Sequence, residues 1–255
     1  MKTPKKYFSK LGNVSKRDTQ LFGASQGNVS RKAQVIVCLK NGQSKKDKVW
    51  YAVYGTNLNV PRFSCYIKGG IPEGTSKTDI GCHDKTMAID GGKILIPLQL
   101  YFAQKSPRWE NKAVGFVNSK INLAIRTLGR KYLITKDQFE DVFKQENGID
   151  IEKKIHIDFN NAREKGAITL QKSWYGRVIF LGEEEGIPIY TLTAHWDFKY
   201  EEIASPSYSY IRHIIMGIKQ TYNLFDEQIA EYLYQKPGVD INFSKKELLK
   251  ITQEL

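Results

Sequence analysis

The stretch VWYAVYGTNLNVPRF, Val49 to Phe63, decides how the rest of the chain is read. Its first half is a strand by composition. Trp50, Ala52 and Tyr54 fall on one face, Tyr51 and Val53 on the other, and all but one are aromatic or β-branched. The run breaks at Gly55-Thr56-Asn57, with Asn59 and Pro61 close behind. A glycine at such a break lets the backbone bend sharply and come near a ligand. Thr56 or Asn57 is a candidate cap for the turn that follows, which would leave backbone N–H groups pointing at an acceptor. Taken alone, G-T-N is also the mark of an ordinary strand-to-turn boundary, so the surrounding chain has to be weighed with it.

At 255 residues the chain can bury a full core, enough for one domain with extensions or two small ones. A 41% hydrophobic and 12% aromatic content is that of a globular protein. No apolar run approaches the roughly 20 residues of a membrane span, and the lysine-rich N-terminus lacks the apolar core of a signal peptide. No membrane association is therefore expected. Three cysteines, Cys38, Cys65 and Cys82, leave one unpaired and form no C-x-x-C, which fits a reducing cytoplasm better than a disulfide-stapled fold. The net charge of +12 is unevenly spread. Residues 1–50 hold 12 of the 39 Lys and Arg and 2 of the 27 Asp and Glu, leaving only +2 for the remainder. The basicity belongs to the tail.

Residues 1–47 are rich in Ser, Gly, Asn and Lys and read as a basic, flexible extension, with an edge strand at most over Gln34 to Leu39. Such a tail could make weak, salt-sensitive nucleic-acid contacts, or simply be a solvated leader. After Phe63 comes a Gly/Pro-rich stretch from Gly69 to Gly92. Cys82-His83-Asp84 within it has no second cluster at zinc spacing, so no metal is expected. Lys93 to Phe102 reads as a strand pair or a strand bent around Pro97, Val114 to Val117 as another strand, and Ile121 to Leu128 as helix-compatible. Residues 149–173 read as polar and irregular. Tyr175 to Leu181 and Ile187 to Ala194 form a hairpin pattern. Ser205-Pro206-Ser207 opens a helix with Ile211, Ile214, Ile215 and Ile218 on one face, a second helix covers Leu224 to Tyr234, and residues 236–255 read as a short helical appendage.

The segment from Lys131 is the most informative. A strand, Lys131 to Ile134, runs into Thr135-Lys136-Asp137-Gln138, a capping box with Thr at the N-cap and Gln at N3. The helix continues as FEDVFKQEN, and Gly148 sits where a left-handed stop belongs. Its apolar stripe is Phe139, Val142 and Phe143, and the next position on that stripe is Glu146. The spacing that buries two phenylalanines thus carries one carboxylate inward. Desolvation, and the negative end of the helix, would raise its pKa toward a range useful for proton transfer. Helix spacing leaves open the alternative that Glu146, at a helix end, turns to solvent or pairs with Lys153.

Three of these segments, in this order, resemble the γ-glutamylcyclotransferases. Tyr54-Gly55-Thr56-Asn57-Leu58 is similar to their YGSN-L signature, with Thr56 for the usual Ser. Gln145-Glu146-Asn147-Gly148 is similar to the ending that bears their catalytic glutamate. The Ser-Pro element with Tyr210, seven residues before Gly217, is similar to a third motif. The resemblance covers about Val49 to Gln235 and implies an α+β fold, a mixed β-barrel or sheet with flanking helices, over residues 48–235. It implies an enzyme that cyclises a γ-glutamyl amide or dipeptide to 5-oxoproline with release of an amine, with Glu146 as general acid–base and no metal or organic cofactor. Tyr54, Gly55, Thr56, Asn57, Leu58, Tyr175 and Tyr210 are the implied substrate contacts. The expected partner is a small γ-glutamyl substrate, with a homodimer left open. A non-catalytic member of the same fold, acting through its basic tail, is the alternative from another class.

Overall fold

In the computed structural model, residues 47–255 apart from Ser76 are described, and the tail readings lie outside them. The chain enters with strand β1 (Lys48–Val53), a single 3-10 turn (Thr56–Leu58) and helix α1 (Val60–Lys68). Strands β2 (Gly91–Ile96), β3 (Leu100–Ser106), β4 (Lys112–Val117) and β5 (Thr127–Thr135) follow, then helices α2 (Lys136–Glu146) and α3 (Phe159–Lys165). Strands β6 (Ala167–Thr169), β7 (Arg177–Glu184) and β8 (Ile187–Thr193) precede helices α4 (Tyr208–Thr221), α5 (Asp226–Tyr234) and α6 (Lys245–Gln253).

Six strands form one mixed sheet in the order β2-β5-β1-β8-β7-β6, and β3 and β4 form a separate antiparallel ribbon. The fold is α+β. The sheet stays open, ending at β2 and β6, so the barrel alternative does not form among the described residues. β1 lies in the middle, antiparallel to β5 and parallel to β8. The reason is in its alternation. Trp50, Ala52 and Tyr54 enter one apolar core with Ile214 and Ile218 of α4, whereas Tyr51 and Val53 enter a second with Phe63 of α1 and Phe139 and Val142 of α2. A strand apolar on both faces must be covered on both.

Several local readings change. The turn after β1 is capped by neither Thr56 nor Asn57. Asn59 caps α1, its side chain accepting from the Arg62 N–H at 3.1 Å, and Pro61 lies in the first turn where its missing N–H costs nothing. Residues 121–126 are turn and loop rather than helix, and Thr127 and Leu128 already belong to β5. The polar stretch 149–173 contains α3, capped by Asp158, and the short edge strand β6. Lys93 to Phe102 does hold two strands, but β2 pairs with β5 and β3 with β4. Residues 236–255 are not peripheral: Val239, Leu248 and Ile251 are buried in the same core as α4.

Candidate active site

Where β1 ends, the 3-10 turn puts Gly55, Thr56 and Asn57 on the wall of a cavity of about 220 Å³. The N–H groups that open such a turn have no acceptor within it. Two contacts fix the turn from behind. The Tyr132 hydroxyl of β5 donates to the Asn57 carbonyl at 2.9 Å, and Leu58 packs directly against Gly217 of α4. Leu58 is buried in the core and does not line the cavity.

α2 forms as its sequence requires. Thr135 accepts from the Gln138 N–H while the Gln138 side chain accepts from the Thr135 N–H, and Gly148 lies in the left-handed region at φ 62°. This brings Glu146 to the cavity, beside the turn. Its carboxylate accepts a hydrogen bond from the Asn57 side-chain amide at 3.0 Å, and it lines the cavity rather than pairing with Lys153. The residue is half-buried and lines the cavity, with its carboxylate closely surrounded by protein. Burial pushes its pKa above the ordinary glutamate range. The Arg62 guanidinium, hydrogen bonds from Tyr66 and Asn57, and the Arg108 charge offset this only in part.

The residues on either side of Glu146 tie down two walls. Gln145 donates to the Tyr66 carbonyl at 2.9 Å and accepts from the Gly81 N–H at 3.1 Å. Asn147 donates to the Tyr175 carbonyl at 3.1 Å and accepts from Ser173 Oγ at 2.6 Å. Tyr175 and Tyr210 both reach the cavity and bond the two backbone polar groups of one β4 residue, Gly115. Tyr210 Oη accepts from the Gly115 N–H at 2.9 Å, and Tyr175 Oη donates to the Gly115 carbonyl at 3.1 Å. Burial raises both phenols, so they stay protonated. Of the two tyrosines after the Ser-Pro pair, Tyr208 is half exposed and bonds Glu254 at the surface, leaving Tyr210 as the one inside. Tyr54 lines the cavity, but its hydroxyl is committed to the Leu192 carbonyl at 2.7 Å.

Sequence reasoning missed a further part of the cavity lining. Arg62 and Tyr66 of α1, together with Arg108, share the cavity with Glu146. The Asn-x-Pro start of α1 was a usable signal for the first two, since it fixes a helix on which positions four apart share a face. Arg108 sits in a single turn after β3 with no local pattern to mark it. Cys82 of the Cys-His-Asp triplet is buried in the second core, with its thiol pushed up to about 12 by burial, while His83 is held by Asp141 at the surface. Among the described residues no group of three or more His, Cys, Asp and Glu could hold a metal, and no helix is long and apolar enough to cross a membrane.

Fold and site together define an α+β protein with one half-buried carboxylate bonded to a glycine-led turn in the wall of a small polar cavity. Comparison with known proteins adds the following. No family model matches. The chain is 36% identical over 202 residues to histone deacetylase 5 of Arabidopsis thaliana, a match covering 74% of this chain and 30% of that protein, so the chain spans less than a third of this relative's length. Among solved structures it is similar to a gamma-glutamyl cyclotransferase, at 16% identity and a TM-score of 0.42, over 82% of this chain and 99% of that one. An uncharacterized protein from Homo sapiens gives 16% identity and a TM-score of 0.43, over 80% and 99%. Likenesses this distant say nothing about activity.

Proposed function

We propose that this chain is a γ-glutamylcyclotransferase-like enzyme, releasing an amine from a γ-glutamyl amide or dipeptide as the glutamyl group closes to 5-oxoproline. The observation that carries this reading is the hydrogen bond between Glu146 and Asn57, which sets a desolvated carboxylate against the turn at the end of β1. In the reaction the substrate's own α-nitrogen attacks its γ-carbonyl carbon, so the protein supplies no nucleophile. Glu146 takes a proton from the α-ammonium. The freed amine adds to the γ-carbonyl, and Glu146 returns the first proton to the departing nitrogen as the old C–N bond breaks. The ring nitrogen's second proton then passes through Glu146 to the released amine, which leaves as an ammonium while 5-oxoproline keeps one N–H. Such acid–base assistance is worth typically ~10²–10⁴-fold, and holding nitrogen and carbonyl together contributes further.

The remaining groups suit this chemistry. N–H groups of Gly55, Thr56 and Asn57 stabilise the oxyanion that develops on the γ-carbonyl, or hold the α-carboxylate. Asn57 Oδ1 is buried without a partner among the described residues, an acceptor that no protein donor uses. Tyr175 and Tyr210 close the wall that shapes the bound chain. No step calls on a metal or an organic cofactor. The test is a screen of γ-glutamyl compounds for 5-oxoproline release. We expect Glu146→Gln to lose about 10²–10⁴-fold in kcat with an unchanged circular dichroism spectrum; full activity in that variant would end the scheme.

A further inference from the structure

The cavity lining holds a feature that proton transfer at Glu146 does not use. Asp79 is buried between two guanidiniums: Arg62 Nη1 reaches its Oδ2 at 2.6 Å, and Arg108 Nη1 and Nη2 reach Oδ1 and Oδ2 at 2.8 and 3.1 Å. One carboxylate therefore faces two permanent cations, with Glu146 beyond ion-pair distance of both and Lys77 also lining the cavity. Arg62 is only 3% exposed. The Nε–H groups of Arg62 and Arg108 are buried with no acceptor among the described residues. Buried donors are satisfied in the great majority of proteins, so the two Nε–H groups leave this cluster with more donors than acceptors. Arg62 reaches Asp79 through Nη1 alone, and both guanidiniums line the cavity, so Asp79 positions the pair without taking it out of the cavity wall. A guanidinium edge also matches a carboxylate in geometry as well as charge.

We propose that Arg62 and Arg108, positioned by Asp79, form a carboxylate-binding subsite in this cavity. Resting on the cyclisation reading, the carboxylate has two sources: the α-carboxylate of the glutamyl group, or one carried by the departing amine. The subsite itself requires only an anionic, planar group of that size.

The test uses the full chain and glutarate, followed by titration calorimetry. Wild type binds glutarate, and Arg108→Met weakens the dissociation constant by at least about tenfold while melting cooperatively. If that variant does not fold, Arg108→Lys keeps the charge on Asp79 but loses the planar fork, and weaker binding is again expected. No glutarate binding by wild type, or equal binding by wild type and a folded variant, overturns the subsite. Two further ligands, titrated into proteins carrying Glu146→Gln, separate the sources. γ-Glutamyl-ethylamine lacks the carboxylate of the departing amine, and 4-aminobutyryl-alanine lacks the α-carboxylate. The ligand whose binding ceases to depend on Arg108 identifies the group held there. Release of 5-oxoproline with glutarate binding indifferent to Arg108 removes the subsite alone. Arg108-dependent binding with no 5-oxoproline from any γ-glutamyl compound keeps the subsite and removes the cyclisation reading.

Discussion

Glu146 shows how one side chain trades stability for chemistry. Burial holds its pKa above the value it has in the unfolded chain, so the folded protein binds that proton more tightly. Its contribution to stability is therefore fully present below the unfolded value of about 4.3 and is lost as pH rises through the folded value. Glu146→Gln, which cannot ionise, should melt above wild type at pH 7, and the gap should close below about pH 4. Thermal melts of both proteins from pH 3.5 to 7.5 check this, and a gap that widens in acid would contradict it. The same shift sets the acid limb of kcat/KM, which should lie above the ordinary glutamate range because the base must be ionised to act. Gly55 is the neighbouring case. A Cβ there would lie 3.0 Å from the Tyr210 hydroxyl, so Gly55→Ala should displace that ring from the Gly115 N–H. A loss of roughly tenfold or more in kcat/KM with little change in Tm is expected, since the clash falls on the cavity wall.

Among the elements, the contact between α4 and the turn after β1 governs the site from behind. A Cβ on Gly217 would stand 2.3 Å from Leu58 Cβ and 2.4 Å from its backbone carbon, so neither side can yield by a rotamer change alone. Gly217→Ala should cost about 1–3 kcal/mol in urea unfolding, as overpacked cores do, and should lower activity by moving Asn57. How legible these elements are in sequence follows from their physics. β1 and α2 carry their own signals, a two-faced alternation and a reciprocal cap, and both form where the spacing places them. α1 has an equally local signal in Asn59 and Pro61, hidden by the Gly/Pro-rich run that follows it. Ile121 to Leu128 has helix-compatible residues, yet pairing of Thr127 and Leu128 with Ile96 and Leu95 takes its end into the sheet. The same division holds in the cavity. Glu146 is legible because helix periodicity carries it inward. The Arg62–Asp79–Arg108 cluster joins three segments distant in sequence, and no window along the chain contains it.

At the scale of the whole described unit, the C-terminal segment closes the core on the α4 side rather than trailing from it. The Pro237 carbonyl accepts from the Phe102 N–H of β3 at 2.9 Å, and Gly238 turns the chain at φ 103°, where a Cβ would strike the Ala204 carbonyl. α6 then starts at a capping box between Ser244 and Glu247 and lays Leu248 and Ile251 into the main core, while Lys219 of α4 donates to the Thr252 carbonyl at 2.7 Å. Two buried aliphatic side chains contribute about 1.5–3 kcal/mol each by burial, a large share of the net stability of an ordinary domain. Cutting the chain after Gln235 would remove them, expose the face of α5 beneath, and leave the Phe102 N–H without its acceptor. Because α4 also backs the turn that carries Asn57, the loss would reach the cavity. The truncated protein should unfold at a Tm lower by roughly 10 °C or more, or lose cooperative melting, with 5-oxoproline release falling in parallel. Leu248→Ala is the milder form of the same experiment and should cost about 2–5 kcal/mol. If the truncated chain instead melts with the wild-type midpoint, the C-terminal helix contributes nothing to the core, and its packing against α4 has no energetic consequence.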